Sequence, residues 1–340
     1  MAPFARIALL MVSAVIAGAT VLIAPPDASL ATTPPGGSVH APLYPLPAGA
    51  VQPEPCPPPP LPPGTGIYQP LPAAIVRERS VPIVGPPPPR HVDLAPISGK
   101  GIWLTTLPGA TLNVGRVVRI AHRAGLQQLW IRTGSTHDGF YGANMLAALV
   151  PAAHAEGIDV IAWDFPTLSN PAADAARAVQ TFRAGADGFS ADIEEEPEGT
   201  YATGRRAAYY LSLVRAAAGN RPVVATVPRP LSANLTAYPY AAEAPFVDAF
   251  APMVYWSCNE PGLATMTAMN ALRALRPVAP IGQDYNMASE GGRVGLPTGQ
   301  EIWRFLDVAK RGGAIGASLY DLESGGRADL SALGAYRWSS

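Results

Sequence analysis

The sequence predicts an α/β fold, a single (β/α)8 TIM barrel that follows an export signal and a proline-rich spacer. From Gly101 onward, eight short apolar runs alternate with stretches of helical periodicity. These runs are continuously hydrophobic, which is typical of parallel strands that are buried on both faces. More than half of the chain's 39 prolines lie before the runs, in residues 32–97, where they disfavour a packed core.

Residues 1–31 have the pattern of an export signal. Arg6 supplies a positive charge, an uncharged apolar run covers residues 7–24, and Ser29-Leu30-Ala31 is a small-x-small cleavage site. The apolar run is about long enough to span a bilayer, so it could also remain as an amino-terminal membrane anchor. In either case we expect the protein to be secreted or held in the cell envelope.

Residues 32–97 form the predicted spacer, which includes the proline runs Pro57–Pro60 and Pro86–Pro89. Proline lacks a backbone N–H donor and favours the polyproline II conformation, so this segment builds neither a sheet nor a helical core. We therefore expect a largely disordered linker, followed by the barrel domain at residues 98–340.

Composition excludes several functional classes. The formal net charge of −1 argues against general attraction to nucleic acid or anionic lipid. The five histidines are scattered and no CxxC pair occurs, so we expect no metal site, and no G-x-G-x-x-G follows the first run, so we expect no dinucleotide or other cofactor. Export permits a disulfide between Cys56 and Cys258, and the sequence leaves open whether they pair. We expect a monomer.

The intervals between the runs predict helices, of which the fifth, rich in proline and tyrosine, should be short or irregular. Glycines at Gly125, Gly157 and Gly312 follow three of the helices and suit left-handed carboxyl-terminal caps. The predicted strands are Ile102–Leu107, Gln128–Thr133, Val160–Phe165, Gly188–Glu194, Val223–Pro228, Ala249–Trp256, Val278–Tyr285 and Ala314–Leu322. The predicted helices are Asn113–Ala124, Asn144–Ala155, Ala172–Ala184, Arg205–Ala218, Ala264–Leu275 and Gln300–Arg311.

The fourth run ends in a series of carboxylates. Strand alternation places Ser190, Asp192 and Glu194 on one face and Ala191 and Ile193 on the other. Carboxylates at the end of a buried strand are costly unless they are solvated, paired or used in chemistry. We therefore predict that Asp192 and Glu194 are catalytic. The acids of the following loop are expected to be a solvated exit from the strand, namely Glu195, Glu196 and Glu198.

Aromatic and polar residues are concentrated at the carboxyl ends of the predicted strands, where the active site of a TIM barrel lies. Carboxylates among aromatic rings suit sugars, because sugar C–H faces stack on rings while their hydroxyls bond carboxylates and arginine. The pattern predicts a polysaccharide substrate. The candidate substrate-binding residues are Trp103, Arg132, Trp163, Asp164, Tyr255, Trp256, Gln283, Asp284, Tyr320, Asp321 and Glu323, with Tyr285 next to Asp284.

Three of these strands carry motifs of a known family. One segment resembles the catalytic strand of the chitinase-like glycoside hydrolases of family 18, a strand with the pattern D-G-apolar-D-apolar-D-x-E. In this sequence the segment is Asp187-Gly188-Phe189-Ser190-Ala191-Asp192-Ile193-Glu194. Met253-Val254-Tyr255 is similar to the M-x-Y of the sixth strand in that family, and Gly316–Asp321 is similar to its last strand. The resemblance implies that Glu194 is the general acid and that Asp192 orients a substrate acetamido group, to which Tyr255 would donate a hydrogen bond.

Three positions depart from the family pattern. Ser190 replaces the first motif aspartate, Trp256 stands where Asp or Asn is usual, and Tyr320 replaces a tryptophan. The chain therefore resembles a distant relative of the family, and a different sugar stays open.

The residues support the same chemistry without the resemblance. Glycoside hydrolysis needs one carboxylic acid with a raised pKa and a second group that stabilises the developing positive charge. Glu194 can be the acid. The second group could be Asp192 or a carboxylate across the barrel, such as Asp164, Asp284, Asp321 or Glu323. We thus predict an exported glycoside hydrolase that acts on a polysaccharide or cell-wall glycan.

Two other classes stay open. A catalytically silent barrel could bind a carbohydrate of the cell wall, because a fold alone implies no activity. A barrel that hydrolyses an ester or amide would need an activated nucleophile, and the sequence has no G-x-S-x-G motif.

Overall fold

The computed structural model describes residues 75–231, 235–290 and 292–338. The predicted export signal, its possible anchor at residues 7–24, residues 32–74 of the spacer and Cys56 lie outside the described residues. Within the described ranges, no helix has both the length and the apolar character needed to cross a bilayer.

Parallel strands close into a barrel, which confirms the predicted fold class. The first strand pairs with the second on one side and with the last on the other, so the sheet of eight barrel strands has no free edge. A short strand, β3, lies antiparallel to the end of β2. The strands are β1 (Gly99–Leu104), β2 (Gln128–Ser135), β3 (Gly139–Phe140), β4 (Asp159–Phe165), β5 (Gly188–Asp192), β6 (Val223–Val227), β7 (Ala249–Val254), β8 (Ile281–Gln283) and β9 (Gly316–Tyr320).

Helices surround the barrel, and several of them begin at side-chain caps. Asn113 and Asn170 accept hydrogen bonds from the first turns of their helices, and Thr298 forms a capping box with Glu301. The described part of the interval rich in proline contains one helical turn. The helices are α1 (Val114–Arg123), α2 (Ala143–His154), α3 (Pro171–Arg183), α4 (Gly204–Ala218), α5 (Tyr240–Glu243), α6 (Pro261–Leu272), α7 (Gly299–Arg311) and α8 (Arg327–Ala335).

Two of the three glycine caps have the expected left-handed backbone. The φ angles of Gly125 and Gly157 are 57° and 69°, which a side chain would strain. The prediction for Gly312 was wrong by one residue: its φ is −74°, and the left-handed residue is Gly313 with a φ of 83°. Gly312 continues the helical conformation because its N–H still bonds the Val308 carbonyl.

Tryptophans fill the interior of the barrel. Trp103 and Trp130 stack with their ring centroids 4.8 Å apart, and Trp163 packs against Trp103 at 5.4 Å. Both stacked indoles satisfy their N–H groups inside the barrel, where Trp103 Nε1 donates to Ser318 Oγ and Trp130 Nε1 donates to Gln128 Oε1. The barrel is thus a packed core, and ligands can approach it only at the mouth.

The described end of the spacer, residues 75–97, packs on the barrel. Its regular structure is limited to two short 3-10 turns. Glu78 forms an ion pair of 2.7 Å with the buried Arg206 of α4, and Val76 N–H donates to the Ser169 carbonyl. Ile97 is fully buried in the cluster of the barrel interior. The contacts of the barrel domain therefore begin before residue 98.

Candidate active site

The alternation of β5 directs Asp192 toward the barrel axis, whereas Glu194, which was predicted to lie on the same strand, comes two residues after the strand ends. Phe189, Ala191 and Ile193 belong to the cluster between the barrel and its helices. Ser190 faces the interior, where its Oγ lies 2.8 Å from Thr226 Oγ1 on β6. Asp192 is therefore directed to the interior as well, one layer closer to the mouth.

A cleft of about 490 Å³ opens at the carboxyl ends of β5 to β9 and β1. Both predicted catalytic carboxylates line it. The residues that line the cleft are Trp103, Asp192, Glu194, Glu195, Glu198, Thr226, Pro228, Arg229, Leu231, Met253, Tyr255, Ile281, Tyr285, Met287, Glu290 and Tyr320.

The carboxyl groups of Asp192 and Glu194 both have raised pKa values. Burial raises the pKa of Glu194 well above its ordinary value, and repulsion from Asp192 raises it further. Burial also raises the pKa of Asp192 to about 7, although the positive charge of Arg132 opposes the shift. Glu194 keeps its proton to higher pH than an ordinary glutamic acid, because burial and the Asp192 carboxylate both disfavour its charged form.

Arg132 acts on the site from outside the cleft. Its guanidinium lies over the ring of Trp163, 5.5 Å from the ring centroid, and it does not line the cleft. Its charge is nonetheless close enough to lower the pKa values of Asp192 and Tyr320. Trp163 is buried in the barrel interior against Trp103, so it supports the floor of the cleft without lining it.

Three tyrosines form one wall of the cleft. The ring centroids of Tyr255 and Tyr285 are 5.4 Å apart, and each lies 5.9 Å from the centroid of Tyr320. Tyr320 also approaches Trp103 at 6.3 Å. The hydroxyl of Tyr285 donates a hydrogen bond of 2.9 Å to Glu290 Oε2. The wall thus combines ring surfaces with a carboxylate that is fixed beside them.

Other predicted binding residues face away from the cleft. Asp164 is directed toward α3, where its Oδ2 accepts a hydrogen bond of 2.8 Å from Arg177 Nε. Trp256 is fully buried on the helix side of the sheet, with its ring 5.6 Å from Phe305. Asp164 follows the inward-facing Trp163 on β4, so alternation turns it outward, whereas Trp256 lies two residues beyond the end of β7.

Three other predicted residues form hydrogen bonds with the loops around the mouth of the barrel. Gln283 Oε1 accepts a hydrogen bond of 2.8 Å from Ser257 N–H. Asp321 Oδ2 accepts a hydrogen bond from Thr105 Oγ1, and Glu323 Oε1 accepts one from Thr105 N–H. These contacts join the loop after β9 to the end of β1, and none of the three side chains lines the cleft.

Asp284 is buried outside the cleft beside a second carboxyl group. It is fully buried, and burial followed by its interaction with Asp329 raises its pKa to about 10. Asp329 Oδ2 accepts a hydrogen bond from Gly326 N–H at the start of α8. Asp284 is therefore a protonated group that packs between the loop after β8 and α8.

Several residues that line the cleft were not among the predicted binding residues. Glu195 and Glu198 were expected to be a solvated exit, but both line the cleft. Arg229 and Glu290 come from the loops after β6 and β8. No sequence pattern distinguishes these two loop residues from other surface charges, because only the closure of the barrel brings their loops together.

Two further features bear on the predictions. Cys258, in the loop after β7, is disulfide-bonded, and the only other cysteine in the sequence is Cys56, which lies outside the described residues. At the opposite, amino end of the barrel, His154, Asp159 and Asp187 offer ligand atoms within 4.8 Å of one another. Within this cluster, His154 Nε2 and Asp187 Oδ2 lie 2.9 Å apart and share a hydrogen bond.

Comparison with known proteins identifies the fold. No family model and no curated protein sequence matches the chain. Solved structures do: a GH113 beta-1,4-mannanase matches with a TM-score of 0.54 at 10% identity, over 71% of this chain and 97% of that one. A chitinase from Chromobacterium violaceum matches with a TM-score of 0.54 at 11% identity, over 71% and 100% of the two chains. The Bacillus cereus spore cortex-lytic enzyme SleL matches with a TM-score of 0.54 at 11% identity, over 69% and 73%.

At such low identity these likenesses show the fold alone. The barrel of this chain is shared with a chitinase and with other glycoside hydrolases. The distant resemblance predicted from the strand motifs is confirmed at that level.

Proposed function

We propose that this protein is an exported glycoside hydrolase that acts on a polysaccharide or cell-wall glycan, with Glu194 as the general acid. The observation that carries the proposal is the placement of Glu194 and Asp192. Asp192 ends β5, Glu194 lies two residues beyond it, and both line a cleft that is also lined by Trp103 and the three tyrosines. Sugar-binding clefts combine ring surfaces with a few polar groups in this way.

Glu194 can supply the proton that the reaction needs, because its raised pKa lets it keep that proton to higher pH. Glu194 donates this proton to the glycosidic oxygen as the bond from that oxygen to the anomeric carbon breaks. Asp192, when ionised, stabilises the positive charge that develops on the sugar ring. Water then adds its hydroxyl to the anomeric carbon, and its remaining proton restores the acid, so the enzyme returns to its starting state.

The positions of the other carboxylates favour Asp192 as the second group. The cross-barrel candidates are Asp164, Asp284, Asp321 and Glu323, and none of them lines the cleft. Asp164 is moreover paired with Arg177, which leaves it no free role at the mouth. Asp192 has one oxygen, Oδ1, that is buried without a hydrogen-bond partner. Such an oxygen is available to a substrate group.

Two further observations support the proposal. Fold neighbours described as a mannanase, a chitinase and a cortex-lytic enzyme are proteins that cleave glycans. The amino-terminal sequence has the charge, apolar run and small residues of an export signal, which suits a substrate outside the cytoplasm.

The test is to incubate the purified mature protein with a panel of bacterial wall and storage glycans and to measure released reducing ends. Cleavage by the wild type that is lost in Glu194→Gln supports the proposal. Binding of a glycan without any cleavage would instead favour a silent carbohydrate-binding barrel. Cleavage of ester or amide substrates alone would assign the site to another class of hydrolase.

A further inference from the structure

The cleft is rich in negative charge. Its acidic side chains are Asp192, Glu194, Glu195, Glu198 and Glu290, whereas Arg229 is the only basic side chain among the described residues that line it. Apart from Glu194, four acidic side chains line the described cleft beside one arginine, so acidic groups outnumber basic ones there. A cleft with walls of low dielectric focuses such a field on whatever binds there.

The tyrosine wall adds a second preference for positive charge. The faces of aromatic rings carry negative potential, so a cation held against Tyr255, Tyr285 and Tyr320 is attracted by their rings. Glu290, which accepts the hydrogen bond of Tyr285, places a carboxylate beside the same wall. Rings together with a carboxylate form a site for an ammonium group.

An unpartnered oxygen provides the third, independent observation. Asp192 Oδ1 is buried, has no hydrogen-bond partner and belongs to a side chain that lines the cleft. A buried carboxylate oxygen without a donor is costly unless a ligand supplies the donor. An ammonium group offers three N–H donors, whereas an acetamido group offers one and a hydroxyl one.

We propose, on the premise that the protein is a glycosidase of the kind described above, that its substrate is a glycan of amino sugars with free, protonated amines. A 2-ammonium group would bond Asp192 Oδ1 and lie against the tyrosine wall. Its charge opposes the positive charge that develops at the neighbouring anomeric carbon, and the Asp192 carboxylate offsets that repulsion. Glycans that carry carboxylates or phosphates are repelled by the acidic cleft.

The experiment measures binding separately from cleavage. Full-length Glu194→Gln protein is titrated calorimetrically with β-1,4-linked tetramers of glucosamine, N-acetylglucosamine and glucose, which differ only in the substituent at C2. Galactosamine oligomers and their acetylated forms provide a second series. We expect the amine form to bind at least ~10-fold more tightly than its acetylated and neutral counterparts at low salt, and this ratio to shrink when the salt is raised to about 1 M.

Variants of the cleft test the origin of the selectivity. Glu198→Gln and Glu290→Gln should each weaken binding of the amine tetramer by about 2- to 5-fold more than they weaken binding of the neutral tetramer. The matched control is Glu196→Gln, because Glu196 is exposed on the same loop as Glu198 but does not line the cleft. This control should keep the preference of the Glu194→Gln protein for the amine tetramer.

The outcomes separate the two proposals. Equal or tighter binding of acetylated or neutral oligomers, or no binding of the amine form in either series, overturns the amino-sugar inference. If the wild type then cleaves a neutral or acetylated glycan, the proposed function still stands. Selective binding of the amine form without any cleavage by the wild type upholds the recognition of amino sugars and refutes the hydrolase.

Discussion

Replacing Glu194 by glutamine keeps the shape of the side chain and removes the proton on which the proposed reaction depends. Burial and the charge of Asp192 raise the pKa of Glu194, so this group keeps its proton to higher pH than an ordinary glutamic acid. Glutamine is neutral at every pH and has nearly the same volume, so the cleft should keep its form. The perturbation is therefore confined to the proton.

The size of the effect follows from the role of the group. Loss of a positioned general acid lowers the rate by at least ~100-fold, and such a factor corresponds to about 2.7 kcal/mol of transition-state stabilisation. Because an amide can still accept and donate hydrogen bonds to the sugar, we expect kcat to fall with little change in KM. The assay is the release of reducing ends from a glycan that the wild type cleaves, measured over a range of substrate concentrations.

The same substitution has a predictable effect on stability. The pKa of Glu194 is higher in the folded protein than in the unfolded chain, so the folded state binds the proton more tightly. The stability that this proton confers is complete below the unfolded value and is lost as the pH rises through the folded value. We expect the melting temperature of Glu194→Gln to match or exceed that of the wild type, with a difference that grows as the pH rises.

Two results would refute this reasoning. Full activity of Glu194→Gln on a substrate of the wild type would show that the acid is a different group. A variant that fails to fold would show that the carboxyl group is structural, which circular dichroism and thermal melts detect directly. Glu196→Gln is the matched control, because it removes a nearby exposed carboxylate and should alter neither activity nor melting.

The remaining predictions concern the groups around Glu194. Asp192→Asn removes the charge that raises the pKa of Glu194, so the alkaline limb of the pH–rate profile should move to lower pH as the rate falls; an unmoved limb would contradict the coupling. Arg132→Gln removes a charge that lowers the pKa of Asp192, so the acidic limb should move upward from about 7; a downward shift would contradict this. The raised pKa of Asp284, about 10, makes the wild type less stable as the pH rises toward that value. The melting temperature of Asp284→Asn, compared with that of the wild type, should therefore be more favourable near pH 9 than near pH 4. An equal change in melting temperature at both pH values would show that the pKa of Asp284 is not raised.

The sequence by itself determined the barrel architecture and the position of Asp192 and Glu194 on one side of the chain. The continuous apolar runs and the intervals between them predicted the eight barrel strands, because a parallel strand that is buried on both faces must be hydrophobic throughout. The period of two on β5 separated Asp192 and Glu194 from Ala191 and Ile193. These are local properties, since they depend only on neighbours along the chain.

Strand ends were harder to predict. Asp164 and Trp256 were grouped with the inward-facing residues beside them, although Asp164 is directed toward Arg177 and Trp256 packs against Phe305. The point at which each strand stops alternating depends on its neighbours in the sheet, so the sequence pattern leaves the facing of its last residues undefined.

Only the tertiary structure decided the remainder of the cleft. Arg229 and Glu290 are distant in sequence from Glu194, and the closure of the barrel places their loops beside β5. The same closure buries the carboxyl group of Glu194 and brings Asp192 and the other acids around it, which together raise its pKa. Burial and charge repulsion depend on distances through space, and a sequence contains those distances only through the fold that it adopts.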